Sequence, residues 1–261
     1  MIRTHAIPCK LPRDIADLLN RASGAIYTGV LVAHWRVRRR KDLWLSQTSG
    51  TRWSDWRGTA AMHAHSIDAA QQGFYKACVT TRALRKAGFP EANFPHWRKK
   101  FRTTIWKNTG IKRTGDTLEL STGRGNTKIV ILLPETLRGA TKFLEVRLVY
   151  DKVARRYTWH IVIENGRQPK QAPGHHVVSV DLGEIHPAVV GDPHEATIIT
   201  CRQRRSESQG HTKRMANLQR ALSRKVKGSK GYLRLVRAKV RMKAKHDRVM
   251  RDLEHKVRRV A

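Results

Sequence analysis

The sequence predicts an α+β protein, in which a small β-barrel or sandwich carries a helical insert and is followed by an antiparallel meander and a basic helical hairpin. Three observations support this prediction. Apolar residues recur at helical spacing before residue 90, short strand-like segments with turn signals between them follow up to residue 164, and helical spacing returns after residue 211.

The N-terminal part combines one strand with two helices. Imperfect alternation of apolar and polar residues over 2–8 predicts a first strand. Apolar residues three and four positions apart predict an amphipathic helix over 15–30, and a basic run at 36–41 follows it. A second helix is predicted over 60–86, because a glycine and a proline shortly after this range end the periodic pattern.

The strand-like segments come next, and turns rich in glycine and aspartate separate them. They cover residues 101–106, 117–120, 128–133, 142–150 and 157–164. Several short strands at this spacing predict a small barrel or sandwich, with Tyr157 and Trp159 on its core side. Three strands within 176–200 predict an antiparallel meander, and the tail at 211–261 predicts two helices broken at Gly228-Ser-Lys-Gly231.

The charge of the chain is strongly positive. Its 261 residues include 53 Lys and Arg against 20 Asp and Glu, which gives a formal net charge of +33. Such a charge repels itself unless a polyanion neutralises it. Nucleic acid is the natural polyanion, because each Lys or Arg near a phosphate releases a counterion. An anionic membrane surface is the weaker alternative.

Composition also argues against several classes of protein. The longest mostly apolar stretch, residues 24–35, is shorter than the about 20 residues that a transmembrane helix needs, and the N-terminus lacks the features of a signal peptide. Cys9, Cys78 and Cys201 are far apart and form no CxxC pair, so they predict neither a zinc ribbon nor a disulfide framework. We therefore expect a cytoplasmic, nucleoid-associated protein with no zinc in this chain and no membrane partner.

The sharpest local motif is Val177-Val-Ser-Val-Asp-Leu-Gly183, in which a buried strand is predicted to end in a carboxylate. Hydrolysis of phosphodiesters by two metal ions uses carboxylates on rigid strands, and Asp181 fits the role of such a ligand. The glycine lets the backbone pass close to a metal ion or a phosphate. Taken alone, however, an Asp before a Gly at a strand end is more often a turn or cap residue.

Five stretches resemble the TnpB family, the OrfB-type proteins of bacterial insertion sequences, and more distantly the type V CRISPR effector nucleases. Val178 to Gly183 resembles the first RuvC motif of this family. Leu218 to Lys230 is similar to the segment beyond that motif, and Asp247 to Lys256 is similar to the end of the helical segment. Upstream, Phe94 to Phe101 is similar to the basic motif that opens the family's barrel, and Met1 to Thr4 resembles its first strand.

This resemblance implies a domain organisation. Residues 1–10 and 95–168 would form a wedge-like β-barrel, and residues 11–94 a helical recognition insert. Residues 169–175 would be a linker, and residues 176–261 the first part of a RuvC domain, which has an RNase-H-like fold, with the basic helical hairpin. Members of the family hold a transposon-encoded guide RNA and act as Mg²⁺-dependent endonucleases on DNA that pairs with it. The implied partners are therefore guide RNA and target DNA.

One departure from the family concerns the catalytic site. The sequence ends before the second RuvC carboxylate, the zinc ribbon and the third carboxylate, so Asp181 would be the one catalytic metal ligand. One carboxylate holds Mg²⁺ poorly. We therefore expect a truncated member that binds RNA and DNA without cleaving, unless a partner chain or a missing C-terminal segment completes the nuclease domain. The alternative is a non-catalytic basic nucleic-acid-binding protein of an architectural or ribosome-associated kind.

Three basic clusters are candidate phosphate contacts. They are Arg98, Lys99, Lys100 and Arg102 near two tryptophans; Arg224, Lys225, Lys227 and Lys230 at the hairpin turn; and Arg38, Arg39 and Arg40 after the first helix. Cations beside aromatic rings are typical of surfaces that hold a nucleic-acid backbone and stack its bases. The plainer interpretations are a solvated strand entrance, an exposed charged helix, and a helix end whose cations complement the helix dipole.

Overall fold

The computed structural model describes residues 1–53, 62–123, 125–166, 168, 174, 177–183 and 186–260, without the side chains of Trp53, Arg258 and Val260. Its elements in chain order are β1 (Ile2–Pro8), α1 (Arg13–Lys41), α2 (Gln47–Trp53), α3 (Ala64–Lys86), β2 (Thr104–Lys107), β3 (Ile111–Thr114), β4 (Thr117–Leu120), β5 (Ile129–Leu132), α4 (Glu135–Arg138), β6 (Lys142–Asp151), β7 (Arg156–Glu164), β8 (Ser179–Asp181), β9 (Ala188–Gly191), β10 (Ala196–Ile199), α5 (Arg202–Ser223) and α6 (Lys230–Val260). The chain divides into two compact units, 1–151 with 155–169, and 152–154 with 170–261.

The larger sheet of the first unit has the strand order β1-β7-β6-β2, and all neighbouring strands are antiparallel. The N-terminal strand pairs with β7 along its whole length, starting with Ile2 opposite Glu164. Buried and half-buried residues alternate along β7, so Tyr157 and Trp159 lie on the core side of the sheet. The structure thus confirms the first strand and the burial of both aromatic residues.

The smaller sheet of this unit has the order β3-β4-β5 and is separate from the larger one. Leu118 and Ile131 of this sheet share one hydrophobic core with Trp106 and Trp159 of the larger sheet. Of the two predicted alternatives, the β-barrel is therefore wrong for the described residues, and the sandwich agrees better, because two antiparallel sheets surround a common core. Alternation in a sequence fixes which face of a strand is buried, but it does not fix which edges pair.

Three helices lie between β1 and β2 in the part of this stretch that the structure describes. The first, α1, extends beyond the predicted 15–30 because the basic run continues the same helix, and Arg and Lys are good helix formers. Its N-terminal half, including Leu19, packs in the common core, and its middle packs on α3 through Tyr27 and Phe74. The second predicted helix is confirmed as α3, although its predicted start at residue 60 lies outside the described residues.

The second unit contains a three-stranded antiparallel sheet of order β10-β9-β8 and a hairpin of α5 and α6. The predicted meander and the break in the helical tail are both confirmed. The strand that ends in Asp181 is predicted to be buried, and this prediction is wrong, because Ser179, Val180 and Asp181 are all exposed. The reason is that β8 is an edge strand of a small sheet in which, among the described strand residues, only Ala188 and Ile199 are buried.

Two further predictions concern a linker and membrane-spanning helices. The predicted linker at 169–175 lies outside the described residues, apart from Gly174. Among the helices of the described ranges, none is long and apolar enough to cross a membrane.

Candidate nucleic-acid interface

Residues 95–102, which we call the basic segment, run in extended form along α1. The strand predicted at 101–106 begins only at Thr104. Side chains of the helix hold the backbone of the basic segment. The indole N–H of Trp35 donates a hydrogen bond to the carbonyl of Pro95 (2.8 Å). The hydroxyl of Thr28 accepts from the N–H of Lys99 (2.9 Å) and donates to its carbonyl (3.0 Å).

Asn20 fixes the other end of the segment. Its backbone carbonyl accepts a hydrogen bond from the N–H of Arg102 (2.9 Å). Its side-chain Oδ1 accepts from the N–H (2.9 Å) and the hydroxyl (2.8 Å) of Thr104, and its Nδ2 donates to the carbonyl of Leu148 (3.2 Å). The segment therefore lies antiparallel to α1, and buried polar groups attach it to the larger sheet.

Gly24 sets the distance between α1 and the basic segment. A Cβ atom at this position would lie 2.7 Å from the carbonyl oxygen of Lys99, from the carbonyl carbon of Lys100 and from the nitrogen of Phe101. All three are backbone atoms, which cannot turn aside as the end of a flexible side chain can. Any larger residue at position 24 must therefore push the segment away from the helix.

A groove of about 780 Å³ lies between α1 and this segment, and we call it the α1 groove. Small residues of the helix, Ala25, Gly29 and Ala33, contribute to its floor. Five cations line it, whereas none of its lining residues is acidic; the cations are Arg21, Arg36, Arg98, Lys99 and Lys100. A floor of small side chains between cations lets a polyanion approach closely and contact both walls.

Arg21 is not among the phosphate contacts predicted from the sequence, and Arg36 is predicted only as part of the basic run at 36–41. Together with Ala25, Thr28 and Val32 they follow the spacing i, i+4, i+7, i+11 and i+15, which places all five on one side of α1. At a rise of 1.5 Å per residue, the two arginines lie about 22 Å apart along the helix axis. The signal that would have found them is a stripe of small residues with an arginine at each end.

Arg102 does not face the α1 groove with its predicted neighbours. Its guanidinium lies over the ring of Tyr27 (5.4 Å to the centroid) and against Gly73, where a Cβ atom would collide with it. Burial lowers the pKa of this guanidinium, and its Nη1 atom is enclosed without a hydrogen-bond partner in the described structure. We therefore assign Arg102 to the packing between α1 and α3.

The three arginines predicted at the end of α1 have separate positions. Arg38 forms an ion pair with Asp42 (2.9 Å), the residue in left-handed conformation that ends the helix. Arg39 lines a second cavity next to the α1 groove. Arg40 is exposed and lines neither cavity.

The third basic cluster lies at the turn between α5 and α6 in the second unit. Its four cations are all exposed; they are Arg224, Lys225, Lys227 and Lys230. The hydroxyl of Ser229 accepts a hydrogen bond from the N–H of Tyr232 (3.1 Å) and so caps the N-terminus of α6. The positive end of the helix dipole adds to the charge of this turn.

Asp181 lies at the end of β8, opposite Val189 of the neighbouring strand, with its side chain exposed. Directly after it, the N–H of Gly183 donates a hydrogen bond to the carbonyl of His186 (3.2 Å). The carboxylate of Asp181 is therefore open to the solvent and accessible to a metal ion.

The described side chains do not assemble a Mg²⁺ site around Asp181. Within the described ranges, there is no group of three or more His, Cys, Asp and Glu side chains that could hold a metal ion. Asp192 is a turn residue, because its carboxylate accepts the N–H groups of Glu195 and His194 (2.8 Å each), which lower its pKa. Asp252 pairs with a lysine one turn along α6 (2.8 Å), as its spacing predicts.

Comparison with known proteins gives a structural match without a sequence match. No family model and no curated protein matches the chain. Among solved structures, the cryo-EM structure of a Cas12f1-sgRNA-target DNA complex matches 93% of this chain with a TM-score of 0.55 and 12% sequence identity. The chain spans 61% of the length of that Cas12f1 chain. At this identity the match shows a shared fold alone.

Proposed function

We propose that the chain binds nucleic acid through the α1 groove, as a TnpB-like protein whose partners are a guide RNA and a target DNA. The observation that carries this proposal is the groove itself, which holds five cations and no acidic residue on a backbone fixed by hydrogen bonds. The choice of partners rests on the shared fold with Cas12f1, whose structure was solved with sgRNA and target DNA.

The rigidity of the groove supports this function. Because the backbone of Lys99 is already bonded to α1, the backbone loses little further conformational entropy when the side chain contacts a phosphate. Each cation that neutralises a phosphate also releases counterions, so the affinity must fall steeply as salt rises. This dependence distinguishes contacts with phosphates from a merely solvated charged surface.

The test is the salt dependence of binding to single-stranded RNA. Replacing Arg98, Lys99 and Lys100 together by Gln should lower the slope of log K against log salt by about 2, since each phosphate contact contributes about 0.7 on a single strand. The matched control replaces Arg3, Lys112 and Lys142, three exposed cations outside the groove, by Gln. The control removes the same charge and should keep the slope; equal slopes for the two variants would refute the proposal.

The hairpin turn is proposed as a second phosphate contact. Replacing Lys225, Lys227 and Lys230 together by Ala should lower the slope by about 3 on duplex DNA if all three touch phosphates. An unchanged slope would make the turn a solvated surface and leave the α1 groove as the binding site.

Cleavage is the part of the family activity that we do not propose for this chain. Hydrolysis by two metal ions needs several carboxylates, and the described residues place no metal-binding group around Asp181. In a plasmid-nicking assay with guide RNA and Mg²⁺, the chain and Asp181→Asn should both be silent. Guide-dependent nicking that Asp181→Asn abolishes would contradict this expectation and show that further ligands complete the site.

A basic nucleic-acid-binding protein of an architectural kind is the second candidate, and the exposed cations of the hairpin turn favour it. The two candidates differ in selectivity. A TnpB-like protein should prefer RNA transcribed from the DNA beside its own gene over unrelated RNA of the same length, whereas an architectural protein should bind both alike. Competition between the two RNAs at fixed salt measures the difference.

A further inference from the structure

A second cavity, of about 450 Å³, lies beside the α1 groove and has a different chemical character. Val32, Trp35 and Phe94 give it an apolar and aromatic wall, and Arg39, Arg85 and Arg98 place three guanidinium groups around it. Val32 and Arg98 also line the α1 groove, so the two cavities are neighbours.

We propose that this cavity, which we call the aromatic pocket, receives the base of one unpaired nucleotide from a strand held in the α1 groove. The proposal rests on the proposed function and makes it more specific, because it names a single-stranded nucleic acid as the ligand of this face.

The aromatic wall is rigid. The indole of Trp35 is held by its hydrogen bond to the carbonyl of Pro95 (2.8 Å). The ring of Phe94 packs against Trp35 with centroids 6.3 Å apart and against Trp44 with centroids 5.1 Å apart. Both Trp35 and Phe94 are half-buried, so they keep accessible surface towards the pocket. A base that packs on this wall therefore meets rings whose positions are already fixed.

Arg85 is also fixed before any ligand binds. Its Nε–H donates to the carbonyl of Ala92 (2.8 Å), and its guanidinium lies 4.8 Å from the centroid of Phe94. A guanidinium has five N–H donors in a planar fork, so its Nη atoms can still bind a phosphate. The pocket thus presents oriented cations directly beside a flat apolar surface.

This combination selects the ligand. None of the residues that line the pocket is acidic, so it favours an anion, while the aromatic wall favours a flat ring. Its volume lies within the about 300–1,000 Å³ that is usual for small-molecule sites. A nucleotide joins a flat ring to a phosphate. A base within a duplex is stacked on both faces and paired along its edge, so only an unpaired nucleotide can enter.

The test compares short single strands of RNA and of DNA with an abasic phosphodiester strand of the same length, which keeps the charge and removes the bases. The chain should bind a base-bearing strand about tenfold more tightly than the abasic strand, as expected for one base packed on an aromatic wall. Phe94→Leu should bring this ratio close to one and leave binding of the abasic strand unchanged. A ratio found with RNA alone or with DNA alone supports the proposal and identifies the strand.

A second pair of variants tests the phosphate side of the pocket independently of Phe94. Arg39→Gln should lower the salt slope by about 0.7, the value for one contact on a single strand. Lys86→Gln removes one charge from the last residue of α3, outside both cavities, and should keep the slope. Equal slopes for the two variants would overturn the proposal even if Phe94→Leu fails to fold.

The outcomes separate this proposal from the proposed function. Salt-dependent binding with a ratio near one for the unaltered chain overturns the aromatic pocket and leaves the α1 groove in place. A ratio that folded Phe94→Leu retains also overturns the pocket, because the base then binds elsewhere. Failure to bind any of the strands at low salt overturns both proposals.

Discussion

Replacing Asn20 by Leu should strongly destabilise the first unit. Asn20 is only 1% exposed, and its side chain makes three hydrogen bonds, two with Thr104 and one with Leu148. Leu has a similar size but cannot hydrogen-bond, so the N–H and the hydroxyl of the fully buried Thr104 lose their acceptor. A buried polar group without a partner costs about 1–3 kcal/mol. The two donors together predict a loss of about 2–6 kcal/mol, out of about 5–15 kcal/mol for a typical domain.

Urea unfolding followed by tryptophan fluorescence measures this loss, and a double-mutant cycle shows its origin. Thr104→Val removes the hydroxyl alone, so the double variant no longer carries an unsatisfied hydroxyl beside the apolar side chain at position 20. Because contacting groups couple, the double variant should lose about 1–2 kcal/mol less than the sum of the single variants. A loss below about 1 kcal/mol for Asn20→Leu, or strictly additive losses, would refute the reasoning that these bonds hold α1 to the sheet.

Three further predictions test packing and ionisation. Gly24→Ala should destabilise the chain in thermal unfolding and weaken RNA binding. Overpacking costs about 1–3 kcal/mol of stability, which exceeds the about 1 kcal/mol that Ala gains over Gly in a helix. In the control Gly210→Ala, the new Cβ meets only a side chain at 3.5 Å, so this variant should keep the gain in helix stability. Burial and two nearby arginines lower the pKa of His34, so on acidification the unfolded chain takes up a proton at this residue before the folded chain does. The free energy of unfolding should therefore decrease below about pH 6.5, by up to about 1.4 kcal/mol per pH unit. In urea unfolding, His34→Leu should remove this contribution to the pH dependence. Burial raises the pKa of Cys78 to about 11, so mass spectrometry should find it alkylated more slowly than the half-buried Cys201 in the native chain.

Strand positions could be predicted from the sequence where one face of a strand is buried. The segments predicted at 142–150 and 157–164 correspond to β6 and β7, because their alternation reports a core on one side. The pairing of edges depends on contacts between distant strands, which leave no local pattern. For that reason the sequence predicts the strands of the first unit apart from β3, but not which of these strands pair.

The candidate site, like the fold, could be predicted only where a local sequence pattern reports it. Clusters of cations are visible in the sequence, but the direction of each side chain is decided by its neighbours in space. Arg102 turns inward because Gly73 of α3 leaves room for its guanidinium. Arg38 forms an ion pair with Asp42, while its neighbour Arg39 lines the aromatic pocket. Composition therefore predicts the kind of ligand, and only packing shows which cations can reach it.

The polar residues of α1 explain why the basic segment is not a strand. In a strand, the backbone N–H and carbonyl groups of this segment would form hydrogen bonds with a neighbouring strand. Here they form hydrogen bonds with the side chains of Thr28 and Trp35 and with the backbone carbonyl of Asn20 instead. Asn20 and Ser23 are buried on a helix face that is mostly apolar, and both side chains are hydrogen-bonded, as buried polar side chains usually are. Amphipathic spacing predicts only a core face for α1. Its buried Asn and Ser show that it is also the support on which the lysines and arginines of the groove are held in place.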